Sequence, residues 1–175
     1  MAHSIELLFD AHSDAAIRAG WQALADAGLP SQLQVKSATN RPHVTLLAAQ
    51  RIIADVDEPL HGLASRLPLT CLVGAPVVFG GTRLTLARLI VPSAELLAVH
   101  EEVYRLALPY LSGDPFSHCR PAHWTAHATL GRRFTPADIG AALAIAGGVA
   151  SDLEAEMVGL RRWDSDTRTD HLLVG

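Results

Sequence analysis

Two four-residue stretches of the same make, His43-Val44-Thr45-Leu46 and His127-Ala128-Thr129-Leu130, stand one in each half of the chain, 84 positions apart. Side chains alternate across a strand, so in each stretch the histidine and threonine share one face and the two apolar residues share the other. A chain that makes this polar-faced strand twice must carry both on one framework.

The elements around the two stretches repeat in order. Residues 4–9 read as an apolar strand. Ser13 or Asp14 is positioned to cap a helix bearing Ile17, Trp21, Leu24 and Ala25 at three- and four-residue steps, which Gly28 and Pro30 stop. Then come a strand over 41–49, a short helix over 57–67, and strands over 69–79 and 82–91 joined as a hairpin at Gly80-Gly81. In the second half, Pro92 and Ser93 open a helix that runs to about residue 111. A loop with Gly113, Asp114, Pro115 and Pro121 follows, then a strand over 123–133, a helix from Thr135-Pro136 to Gly147-Gly148, and strands over 152–163 and 170–175. Strands joined by hairpins with helices between them predict an α+β fold rather than a doubly wound parallel sheet.

The 175 residues suffice for a substantial core in one domain over 1–175, and 49% hydrophobic against 18% charged residues is a globular balance. The net charge of −4 disfavours binding along a nucleic-acid duplex, which depends on neutralising many phosphates, but leaves room for one phosphate or one RNA end. Cys71 and Cys119 have no metal-ligand spacing and are too few for a disulfide framework, which fits a reduced, cytoplasmic setting. No signal peptide and no membrane span is expected.

Nine histidines and ten threonines give about 0.5 His-x-Thr matches by chance, whereas there are three, His123-Trp124-Thr125 being the third. Displacement at phosphorus needs a base on the attacking oxygen and an acid on the leaving oxygen. An imidazole with an ordinary pKa near 6.5 can serve as either, so His43 and His127 form a candidate catalytic pair that needs no metal or other cofactor. The hydroxyls of Thr45 and Thr129 can donate to the non-bridging phosphate oxygens. Alternation also places Arg133, rather than Arg132, on the His127 face, as a candidate phosphate contact, and puts Arg41 on the His43 face. Trp124 has the opposite parity and reads as packing, and Arg161-Arg162-Trp163 as a sheet edge.

At Pro42–Leu47 (PHVTLL) and at His127–Arg132 (HATLGR) the sequence resembles the two-histidine phosphoesterase superfamily, in particular its bacterial 2′-5′ RNA ligase-like members. The resemblance extends to the element order over nearly the whole chain. One departure is Ala126, where the family often has proline. The resemblance implies a bilobal α+β fold, with two antiparallel sheets flanked by helices in a pseudo-two-fold arrangement around a central groove. It implies cleavage of 2′,3′-cyclic phosphates or 2′-5′ linkages of nucleotides or RNA ends, with His43 and His127 as acid and base in either order. It also implies Thr45 and Thr129 as phosphate ligands, a 2′-phosphate product in some members, and ligation only as the reverse of cleavage.

Two other readings stay open on the sequence. One is a non-catalytic module that binds nucleotides or RNA ends. The other is a zinc hydrolase built on His118, His123 and His127, although residues 123 and 127 of one strand would lie about 13 Å apart, too far for a single ion. Substrate and oligomeric state are not specified by the sequence.

Overall fold

The computed structural model describes residues 2–149 and 152–175. Seven strands form one antiparallel sheet: β1 (His3–Phe9), β2 (His43–Ala49), β3 (Leu69–Phe79), β4 (Leu84–Ile90), β5 (His127–Phe134), β6 (Leu153–Asp164) and β7 (Thr169–Val174). The helices are α1 (Ala11–Asp26), the single turn α2 (Asp57–Leu60), α3 (Ala94–Ala107) and α4 (Ile139–Val149). The α+β class expected from the sequence is the one observed.

The strand order is β2-β1-β6-β3-β4-β5, with β7 also paired to β6. The twelve-residue β6 joins the two halves of the sheet. One of its edges pairs with β1; along the other, Leu153–Met157 pair with β3 and Leu160–Asp164 with β7. The two expected sheets are therefore two four-stranded halves, β7-β6-β1-β2 and β6-β3-β4-β5, that share β6. Arg161, Arg162 and Trp163 sit on this central strand, paired on both sides, not at a sheet edge.

The helices are exchanged between the halves. Helix α1 follows β1 in the chain yet packs against α4, β5 and β6, while α3, from the second half of the chain, packs against β2 and α2. Ile17, Trp21 and Leu24 of α1 are buried, as their spacing predicts. Its cap is Asp10, whose carboxylate accepts from the amides of His12 and Ser13, so the helix starts earlier than Ser13 or Asp14 would place it. Ser93 caps α3 through the Leu96 amide. The segment expected as a helix over 57–67 is α2 flanked by 3₁₀ turns over 54–56 and 61–66. The strand expected from 123 begins only at His127, because residues 121–123 form a turn.

Each histidine strand carries a β-bulge at the same place. In β2 the register passes from Leu47 to Thr45 and skips Leu46; in β5 it passes from Thr129 to Gly131 and skips Leu130. An extra residue reverses the in-out alternation beyond it. Gly131, next to the second bulge, has no room for a side chain: a Cβ there would lie 2.3 Å from the Pro30 carbonyl oxygen.

Candidate active site

Strands β2 and β5 end the sheet on opposite sides, and curvature brings them together at a groove of about 960 Å³. Both histidines and both threonines of the repeated stretches line it. Alternation explains their direction: Val44, Leu46, Ala128 and Leu130 are buried in the core, while His43, Thr45 and His127 are only half-buried.

Both imidazoles are held in the same way. His43 Nδ1 lies 2.7 Å from the Arg41 carbonyl oxygen, and His127 Nδ1 lies 2.7 Å from that of Thr125. In each case the acceptor is the backbone two residues earlier. A carbonyl can only accept, so Nδ1 carries the hydrogen, and Nε2 is the nitrogen left to accept or donate a proton. A second pair of bonds braces the threonines from behind. The Trp21 indole N–H donates to the Thr129 carbonyl at 2.9 Å, and that of Trp124 to the Thr45 carbonyl at 2.9 Å. Trp124 also stacks on buried His100, with ring centroids 4.0 Å apart. Trp124 thus packs, but it precedes β5, so strand parity does not place it, and it also borders the groove.

The surroundings of the two rings differ in charge. Glu6 of β1 lies directly across from Thr45 and places Oε1 3.6 Å from His43 Nε2. Its carboxylate is buried and accepts from Arg161 Nε at 2.8 Å and from the Ser4 hydroxyl at 2.6 Å. Burial pushes the Glu6 carboxyl up, but His43, Arg161 and Ser4 together outweigh it, and the group titrates below its ordinary value. Arg161 is fixed in turn by the Thr39 carbonyl and by Asp170.

Among the described residues no carboxylate pairs with His127. Phe79 packs against it, ring centroids 4.6 Å apart. Burial pulls its pKa below the ordinary histidine value, and the positive charges of Arg132, His43 and His118 pull the same way, only partly offset by the bond to Thr125. The charge of His43 reaches His127 across the shared groove.

Two arginine expectations need correction. Arg132 lines the groove and Arg133 does not. The bulge at Leu130 reverses the parity, so the residue five after His127 faces the groove, as Ala48, five after His43, does in β2. Arg133 falls at a second register shift, with φ of +71°, and is exposed. Arg41 turns away, reaching the Phe9 carbonyl and Asp14.

The histidines of the zinc reading border the groove at His118, His123 and His127, but among the described residues their ligand atoms do not converge. Cys119 is buried, and burial raises its thiol pKa, which argues against a thiolate nucleophile. Sequence reasoning missed Glu6, Arg161 and Phe79. The signal for Glu6 was a lone acid inside an apolar strand, on the same face as Ser4. Among the described residues no helix is long and apolar enough to cross a membrane.

No protein-family model and no curated protein sequence matches this chain. Its fold does have solved counterparts. The structure of Kluyveromyces marxianus Usb1 with uridine monophosphate superposes with a TM-score of 0.59 at 12% identity, covering 99% of this chain and 98% of Usb1. A second Usb1 structure gives a TM-score of 0.53, at the same identity and coverage. The chain has the Usb1 fold.

Proposed function

We infer that this chain is a phosphodiesterase of the two-histidine type, acting on a cyclic or 2′-5′ phosphodiester of a nucleotide or an RNA end. The observation that carries the reading is the matched pair of imidazoles in one groove, each tied through Nδ1 to its own backbone, with Nε2 left for proton transfer. The likeness to a protein solved with uridine monophosphate supports a nucleotide as the substrate class.

We read the two roles from the different surroundings. His127, packed against Phe79 and near Arg132, favours the neutral form and acts as base. His43, whose Nε2 lies 3.6 Å from the buried Glu6 carboxylate, acts as acid. With a 2′,3′-cyclic phosphate, water gives its proton to His127 Nε2 as its oxygen bonds to phosphorus. The bond from phosphorus to one ribose oxygen breaks, and that oxygen takes the proton of His43 Nε2. The Thr45 and Thr129 hydroxyls donate to the non-bridging oxygens, and Arg132 supplies positive charge at the rim. No step calls for a metal. The likeness to Usb1 gives no support for ligation.

The test is turnover of 2′,3′-cyclic mononucleotides and of 2′-5′-linked dinucleotides in excess chelator. Hydrolysis that persists is the expected result. Tight binding without turnover would replace this reading with the binding module, and loss of turnover restored by zinc would replace it with the metal hydrolase.

A further inference from the structure

Outside the groove, one buried histidine has no hydrogen bond to explain it. His3, the first residue of β1, is 2% exposed, and neither ring nitrogen has a hydrogen-bond partner among the described residues. Its Nε2 points at two carboxylates of the β6–β7 turn, 3.5 Å from Asp164 Oδ1 and 3.3 Å from Asp166 Oδ2. Ser165 between them is also buried, with an unpartnered hydroxyl. Among the described residues, this is the one group of three or more His, Cys, Asp or Glu side chains whose ligand atoms gather closely enough for an ion.

The separations discriminate between an ion pair and a metal site. A charged N–H to carboxylate bond closes to about 2.7–2.9 Å, and both contacts are longer than that. Ligand atoms about 2.0–2.1 Å from a tetrahedral ion stand about 3.3–3.4 Å apart, close to the separations of 3.3 and 3.5 Å. The carboxylate of Asp164 is already held in place by the amides of Asp166 and Thr167. Asp166 is largely exposed, so an ion can enter from solvent and keep a water as its remaining ligand.

We propose that His3, Asp164 and Asp166 form a binding site for one divalent ion of the zinc class, which clasps the β6–β7 turn to the start of β1. One imidazole with two carboxylates suits zinc, cobalt or manganese better than calcium or magnesium, which prefer oxygen ligands throughout. The site is separate from the chemistry of the groove, but it lies beside it. Ala2 and Ser4 flank His3, Trp163 precedes Asp164, and all three border the groove. The ion would fix one rim of the groove without taking part in the reaction.

The test uses the full chain stripped of metal. Titration with Co²⁺ is expected to give one ion per chain with the strong visible bands of a four-coordinate centre, and Zn²⁺ is expected to displace it. His3→Gln is expected to weaken binding by at least about 10-fold. Because His3 is buried and its replacement can disturb folding, the exposed Asp166→Asn is the second variant; it is expected to lose affinity similarly while keeping the wild-type circular dichroism spectrum. Absence of stoichiometric binding would overturn the proposal. So would binding unchanged in Asp166→Asn, since the ion would then sit on other histidines.

Discussion

Strands β2 and β5 are nearly copies in their backbone and opposites in their surroundings. Each ties its histidine to the carbonyl two residues back, takes an indole N–H on its threonine carbonyl, and bulges at the following leucine. Beside β2 lies a buried carboxylate clamped by arginine; beside β5 lie a phenylalanine and a groove-facing arginine. The lesson is a division of labour. Local backbone geometry aims the two rings alike, and the neighbouring strands set a carboxylate beside one ring and an apolar wall with positive charge beside the other, whose pKa they lower. Duplication alone would leave the two surroundings alike.

The comparison can be broken most directly at the rings. His43→Ala and His127→Ala are each expected to lower turnover of a cyclic mononucleotide by about 10²–10⁴-fold with the fold intact. A near-wild-type rate for either would end the paired scheme. Replacing Glu6 by Gln probes the asymmetry itself. It is expected to lower turnover about 10-fold at neutral pH by removing the carboxylate charge beside His43 Nε2. The pH profile of kcat/KM is the second readout. The acid limb, set by a His127 that titrates below the ordinary value of about 6.5, should stay in place. Movement of the acid limb alone would reverse the two assignments.

The bulge at Leu130 is tested by two adjacent arginines. Arg132→Ala is expected to raise KM by about 3–10-fold, as loss of a partly solvated charged contact would, while Arg133→Ala stays within about twofold. The reverse result would restore simple alternation. The smallest effects on rate belong to the bracing residues. Trp21→Phe should cost about 1–3 kcal/mol of stability by leaving the buried Thr129 carbonyl unpaired, with little change in turnover. Glu6 also gives a signature in acid. Its folded pKa lies below its unfolded value, so the unfolded chain binds more protons between the two and stability falls as pH drops through that window. Glu6→Gln should flatten that part of a stability profile measured by denaturant melts.

What could be read from the sequence follows from the range of each interaction. The exposure of His43 and Thr45 beside buried Val44 and Leu46 follows from period-two alternation, which is local. The core face of α1 and the hairpin at Gly80-Gly81 are local too. The assignment of Arg133 failed because alternation was extended across a bulge that only the partner strand reveals. Arg161 was misplaced at an edge because its neighbours on β6 come from opposite ends of the chain: Glu6 is 155 positions away and pairs with it in register. Trp21 and Thr129 are separated by 108 positions, and no local pattern marks their bond.

The position of β6 in the chain has a kinetic consequence. The strand at the centre of the sheet is the sixth to be synthesised, so neither four-stranded half can be completed from the residues before 153. During translation the two histidine strands must wait, along with the exchanged helices, until the strand that joins them has left the ribosome. With pairings this distant in sequence, assembly is expected to be slow and all-or-none, and a stalled or shortened product ending before residue 153 would carry both histidines with no sheet to bring them together.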